Sequence, residues 1–352
     1  EYRGAADHLY RNLGGGRFED VSEQSGIARS LTRGLGVACA DLDGDGRVDF
    51  FVANDADRNE LWSNAGDGTF VDRAVVMGLA VNLFGKPEGS MGVAFGDVDG
   101  DGGIDLFVTH LGRETNTLYT NLGAAAFQDS TATAALGPSS LPYTGFGTAF
   151  FDADHDGDLD LALVNGRVAR ADGRMSLLRT ETGWSQTAET FTRDYGEPDL
   201  FYLNDGRGTF REVCADTPGF CGESSVGRGL VVGDVDLDGD LDVLVTNSNG
   251  PVRLFRNDVP GSGHWVAVRA IDQARRRDAV GATIFAEAGG RVHVRWVTHT
   301  QGDLTASDAT AHFGLGDAAR VDRFRVVWPD GRREVFDGRP ADARIELVKG
   351  TG

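Results

Sequence analysis

Four short runs hold the residues best suited to chemistry: DLDGDGRVDFFVAN at 41–54, DVDGDGGIDLFVTH at 97–110, DADHDGDLDLALVN at 152–165 and DVDLDGDLDVLVTN at 234–247. Each places Asp at positions 1, 3, 5 and 9 and Gly at position 6. Hard oxygen donors at alternating loop positions, a backbone carbonyl at position 7 and a sharp Gly turn suit Ca²⁺, which takes six to eight oxygens in flexible geometry. The side-chain ligands expected are Asp41, Asp43, Asp45 and Asp49; Asp97, Asp99, Asp101 and Asp105; Asp152, Asp154, Asp156 and Asp160; and Asp234, Asp236, Asp238 and Asp242. The carbonyls of Arg47, Gly103, Asp158 and Asp240 fill position 7. Four carboxylates crowded in one turn repel one another unless a cation sits among them. An EF-hand would need Glu at position 12, where this chain has Val52, Val108, Leu163 and Val245, so that reading fails. Solvated Asp-Gly turns without metal are the bland alternative, and four copies in one frame speak against it.

The elements that must position these loops repeat with them. The runs start 56, 55 and 82 residues apart, each with a Gly five positions upstream: Gly36, Gly92, Gly147 and Gly229. The stretch before each run alternates small and larger apolar residues, and the segment after it is a short apolar run bounded by turn signals, so both read as strands. A further strand, L-[YWF]-x-N, follows most copies and ends in a Gly-Asp-Gly-type turn: LWSNAGDGTFVD from Leu61, LYTNLGAAAFQD from Leu118, LFYLNDGRGTF from Leu200 and LFRND from Leu254. Three or four short strands per unit, with no helical period, predict an all-β chain of propeller blades. Dividing 352 residues by about 50 per unit gives roughly seven, hence a seven-bladed β-propeller. An orphan copy of the last motif, LYRNLGGGRFED from Leu9, has no Asp run of its own. Its strands are expected to complete a blade with strands from the C-terminal region, which would remove exposed edges.

With these residues in view, the chain resembles the FG-GAP/VCBS repeat proteins of the cartilage acidic protein family, whose blades carry the same D-x-D-x-D-G-x-x-D loop. RRRDAVGATI at 275–284, HFGLG at 312–316 and RFRVVWPDGRREVF at 323–336 are similar to the UnbV/ASPIC region that follows the repeats in that family. NGRV at 165–168 has Arg167 where the family has His. The stretch from Thr300 to Asp308 departs from the family's G-S-G-Y-L-S-Q-S-D, losing the aromatic residue and the S-Q pair. The resemblance implies propeller repeats over 1–262, with an insertion at 166–199, and a UnbV/ASPIC-like β region over 263–352 that completes or caps the ring. It also implies about four bound Ca²⁺.

Composition narrows the function classes. A net charge of −20 repels phosphate backbones and disfavours nucleic-acid binding. No apolar run approaches the roughly 18–20 residues of a membrane-spanning helix. Cys214 and Cys221 bracket a turn-like stretch and allow a short-loop disulfide, whereas Cys39 reads as a buried small hydrophobe. A secreted or periplasmic location follows as an expectation, with an export signal taken to have been removed. A monomer is favoured, and the partner stays open between a small molecule, a glycan and a protein.

Catalytic motifs are weak. Asn54, His110, Asn165 and Asn247 share one frame position, so they either ring one face or simply end a strand and cap a turn. His110 breaks the Asn pattern and is the first catalytic candidate, against a plain structural His. Leu35, Met91, Phe146 and Arg228 are equivalent on the innermost strands, and Arg228 is either an anion-binding residue near the axis or a solvated channel Arg. The insertion 166–199, with Arg167, Arg170, Arg174, Trp184, Glu189, Tyr195 and Glu197, is either a binding surface or an ornament. The reading is therefore a secreted, calcium-binding propeller that serves as a ligand-binding or interaction module. The alternative is a calcium-dependent propeller enzyme of cyclase, isomerase or lyase type acting on a small molecule or glycan near the axis.

Overall fold

A computed structural model describes residues 3–123, 126–169, 188–259 and 263–352. Each Asp run joins the first two strands of an antiparallel meander. The first repeat sheet comprises Gly34–Ala40, Asp49–Asn54, Glu60–Asn64 and Phe70–Asp72. The second comprises Val93–Gly96, Asp105–Val108, Thr117–Asn121 and Phe127–Asp129. Gly145–Phe151, Asp160–Asn165, Leu200–Asn204 and Phe210–Glu212 make the third. The fourth has three strands, Gly227–Gly233, Asp242–Asn247 and Arg253–Phe255.

The sheets stack face to face in sequence order. Phe51, Leu61, Leu106, Tyr119 and Phe127 fill the space between the first and second. Phe107, Leu118, Phe150, Tyr202 and Phe210 fill the next, and Phe151, Val164, Leu230 and Val243 the last. In the second and third sheets, covered on both sides, the second strands read as continuous apolar runs rather than alternating ones. The upstream glycines let the first strands approach. A Cβ on Gly36 would lie 2.0 Å from the Met91 carbonyl oxygen, and one on Gly92 equally close to that of Phe146.

Residues from 263 onward build two further four-stranded sheets. His264–Asp272 pairs with Ala311–Gly316 and, in parallel, with Ala343–Val348, while Thr283–Ala288 lies between Arg291–Trp296 and Arg320–Val327. They share one core of Val266, Ile284, Phe313, Phe324 and Trp328, drawn wholly from this region. Among the described residues, four sheets carry an Asp run, and two more carry this separate core.

The N-terminal strands differ from expectation. Tyr10–Gly14 and Arg17–Asp20 form a two-stranded hairpin of their own, because the C-terminal strands pair among themselves. Leu9 anchors the hairpin on Ile27 of the preceding helical turn and on Trp62 and Phe70 of the first repeat sheet. Among the described residues, no helix is long and apolar enough to cross a membrane.

Candidate metal centre

The Asp loops are built from the backbone outward. Position 1 accepts from the Gly at position 6: Gly46 N donates to Asp41 at 2.8 Å, and Gly239 N to Asp234 at 2.9 Å. Position 5 accepts from the N–H two residues on, as from Arg47 N to Asp45 at 2.9 Å and from Gly103 N to Asp101 at 2.7 Å. These Asx-type bonds curl each run into a turn with its carboxylates converging. In every loop three carboxylates offer oxygens within 4.8 Å of one another: Asp41, Asp43, Asp45; Asp97, Asp99, Asp101; Asp152, Asp154, Asp160; and Asp234, Asp236, Asp242.

Position 9 has a second task that its spacing did not reveal. Asp49 accepts from Leu42 N at 3.0 Å and Asn64 N at 2.9 Å. Asp105 does the same with Val98 and Asn121, Asp160 with Ala153 and Asn204, and Asp242 with Val235 and Asn257. One carboxylate thereby ties the loop to the end of the third strand in all four sheets. Each oxygen keeps a lone pair for a cation.

Electrostatics favour a cation. Burial, with neighbouring loop carboxylates adding to it, pushes Asp105 and Asp160 up to about 8. Asp152 is pushed to about 7 and Asp49, Asp97 and Asp156 to about 6, again chiefly by burial. Asp41 Oδ1 and Asp152 Oδ1 are buried with no hydrogen-bond partner, the condition expected of ligand atoms. An all-oxygen donor set of this kind can hold a hard metal ion.

The third and fourth loops also bear the C-terminal sheets. Gly314 N donates to Asp152 Oδ2 at 2.9 Å, Gly316 N to the His155 carbonyl at 2.8 Å, and His312 Nε2 to the Gly239 carbonyl at 2.9 Å. Arg291 pairs with Asp158, Arg344 with Asp234, and Arg295 lies 3.8 Å from Asp152. A Cβ on Gly314 would lie 2.1 Å from Asp152 Oδ2, which explains the middle glycine of HFGLG. From the same region the segment 300–308 reaches the first strands: Gly302 exchanges two backbone hydrogen bonds with Val93, and Ser307 Oγ accepts from Val232 N at 3.3 Å.

His110 and Arg228 sit in different surroundings. His110 is buried, its Nδ1 donating to the Thr115 carbonyl at 3.0 Å and its Nε2 accepting from Ser90 Oγ at 3.1 Å. Burial pushes it down to about 4. Its Nδ1 bond repeats what its frame partners do, since Asn54, Asn165 and Asn247 each donate from Nδ2 to a carbonyl before the third strand. Glu88 lies 3.8 Å from Nε2 and is pushed up to about 7 by burial. Arg228 is half-buried rather than a solvated channel residue. It donates to the carbonyls of Gly166 and Gly227 and lies 3.8 Å over the Phe146 ring. Burial draws it down to about 10, against the nearby charges of Asp303 and Glu197.

In the insertion, Arg167 pairs with Glu197 at 2.8 Å and its N–H donates to the Tyr195 carbonyl. Arg170, Arg174 and Trp184 lie outside the described residues. Cys214 and Cys221 are joined in a disulfide with Cα atoms 5.4 Å apart. Cys39 is half-buried rather than fully buried, because no repeat sheet covers its side of the first sheet among the described residues.

Repeated meanders with acidic metal-type loops, joined to a two-sheet C-terminal region, define the class of protein. The FG-GAP-like repeat family matches residues 3–52, 41–108 and 97–163, and the ASPIC and UnbV family matches 272–352. FG-GAP-like repeats are thus found over residues 3–163 and an ASPIC and UnbV region over residues 272–352. The chain is 28% identical over 326 residues to Cartilage acidic protein 1 of Homo sapiens, across 90% of this chain and 43% of the relative. To the Xenopus tropicalis protein of that name it is 26% identical over 385 residues, across 95% and 57%. The chain spans about half the length of the curated relatives it matches. A solved structure on the recognition of non-reducing terminal N-acetylglucosamine by an Agrocybe aegerita lectin aligns at 15% identity and a TM-score of 0.32, over 72% of this chain and 75% of that one.

Proposed function

We propose that the chain is a secreted, calcium-binding propeller module that binds a ligand or partner. Each Asp run would hold one Ca²⁺ through its carboxylates at positions 1, 3, 5 and 9 and the carbonyl at position 7. The observation that carries this reading is the fourfold recurrence of one acidic turn, with orphaned buried oxygens on Asp41 and Asp152. The ion would neutralise carboxylates that burial otherwise drives toward protonation. The four repeat sheets would be consecutive blades of a seven-bladed propeller whose ring the C-terminal β region completes or caps.

We divide the chain at 262/263, supported by a C-terminal core drawn from residues 266–347 alone. In this arrangement the C-terminal sheets cap the metal loops of blades three and four. The Cys214–Cys221 disulfide supports an oxidising compartment.

The enzymatic alternative draws less support. Both ring nitrogens of His110 are spent on protein groups, and Arg228 donates to main-chain carbonyls. Thermal melts in Ca²⁺ and in chelator test the calcium claim. An ion that binds only the folded chain at a hundredfold excess over its Kd adds about 2.7 kcal/mol per site. A large upward shift of the melt with Ca²⁺ is expected. An unchanged melt after proven metal removal would overturn the claim.

A further inference from the structure

The fourth repeat sheet differs from the other three at its outer edge. In sheets one to three, the third strand is paired by a fourth whose first residue is Phe: Phe70 in FVD, Phe127 in FQD and Phe210 in FRE. Phe127 and Phe210 are buried and point into the space shared with the preceding sheet. Six residues after the closing Asn of the third strand, where these Phe residues stand, the fourth sheet has Gly263. The chain there turns away, with Gly263 N donating to the Asp154 carbonyl at 3.3 Å, and enters the C-terminal sheets.

Two consequences are visible. The first is an open slot between the third and fourth sheets, an apolar pocket of about 320 Å³ lined by Phe151, Phe201, Phe220, Leu241, Val243 and Phe255. It lies at the third strands of the two sheets, where the Phe220 ring packs 6.2 Å from that of Phe201 and 5.2 Å from that of Phe255 and leaves this volume beside it. The second is an unpaired strand edge. The carbonyl of Leu61 accepts from Arg73 N at 2.8 Å, that of Leu118 from Ser130 N at 2.8 Å, and that of Phe201 from Val213 N at 3.0 Å. The N–H groups of the same three residues are also satisfied from the segment around or just after the fourth strand, by Asp72, Thr131 and Cys214. Leu254 is their equivalent through its pairing with Leu244, and it is 55% exposed with no such partner among the described residues.

Among the described residues, an apolar slot that can take an aromatic ring beside an unpaired edge defines the complementary element by chemistry and position. We propose that the fourth sheet is completed by strand addition: an extended segment of a partner polypeptide pairs with Arg253–Phe255 and seats an aromatic side chain in the slot. The occupied equivalents specify its pattern, an aromatic residue, any residue, then an acidic one. Main-chain hydrogen bonds would supply the pairing and the ring the selectivity.

The experiment uses a fluorescein-labelled peptide of the chain's own third-sheet strand, GRGTFREV (residues 206–213), titrated with the intact Ca²⁺-loaded chain and followed by anisotropy. Saturable binding is expected, weakened at least about tenfold when the peptide Phe is replaced by Ala, because a buried ring is lost. Leu254→Pro should abolish it. The N–H lost there is the outward-facing one, so the ladder to Asp242–Asn247 is kept. Should that variant fold poorly, Gly219→Phe serves instead, since no atom lies within 4 Å of a Cβ there and the new ring would shield the slot. No saturable binding, equal binding of both peptides, or full binding by folded variants overturns the proposal. A concentration-dependent dimer that excludes the peptide overturns it in favour of a second copy as occupant.

Discussion

Gly314→Ala is the sharpest perturbation of the junction between the Asp loops and the C-terminal sheets. The new Cβ would lie 2.1 Å from Asp152 Oδ2 and 2.5 Å from the Cα of His155, both far inside contact distance. Neither neighbour can yield cheaply, since Asp152 also accepts from Gly157 N at 3.0 Å and His155 is buried backbone. Relief must break the 2.9 Å bond from Gly314 N, a buried hydrogen bond to a charged group worth about 1.5–3 kcal/mol. Overpacking adds about 1–3 kcal/mol, for a total loss of about 3–5 kcal/mol. Urea unfolding in Ca²⁺, followed by Trp fluorescence, measures it. Gly219→Ala is the control, having nothing within 4 Å of its Cβ, and should change stability by less than about 1 kcal/mol. A Gly314→Ala loss below about 0.5 kcal/mol would refute the reasoning that this glycine exists to let the two regions touch.

Three further outcomes follow from the same geometry. In chelator, stability should fall as pH rises from about 5 to 8. Asp105 and Asp160 titrate near 8 in the fold against about 3.9 unfolded, so the folded state binds more protons across that window. In Ca²⁺ the slope should reverse, because ligands must shed protons to bind metal; parallel melts across pH would show it. His110→Asn keeps a donor for the Thr115 carbonyl and should cost about 1 kcal/mol, whereas His110→Ala leaves that carbonyl unpaired in a cavity and should cost about 3 kcal/mol by denaturant unfolding. Reducing the Cys214–Cys221 disulfide, which closes a short loop, should cost about 2 kcal/mol, read as a lower melting temperature in dithiothreitol.

Much of this was legible in the residues. The four Asp runs, the glycine five positions before each and the L-[YWF]-x-N strand are local signals, and the structure turns them into loops, close-packed first strands and third strands. Other features needed three dimensions. The clamp formed by Asp49, Asp105, Asp160 and Asp242 depends on a third strand arriving beside the loop, from as far as 44 residues away for Asn204 and Asp160. The middle glycine of HFGLG looked like a motif letter, and its reason, Asp152, lies 162 residues earlier. His110 looked special because it broke an Asn pattern, yet its Nδ1 makes the bond that Asn Nδ2 makes elsewhere. That the last repeat sheet has three strands among the described residues was hidden because the chain continues through Asp258 and Val259 as though the turn were intact.

Calcium content of the purified chain after equilibrium dialysis, by inductively coupled plasma mass spectrometry, tests the central claim most directly. The account predicts about four ions per chain, with one lost for each of Asp41→Asn, Asp97→Asn, Asp152→Asn and Asp234→Asn. A chain that retains no calcium at millimolar free ion, or whose count is unmoved by these substitutions, would contradict it.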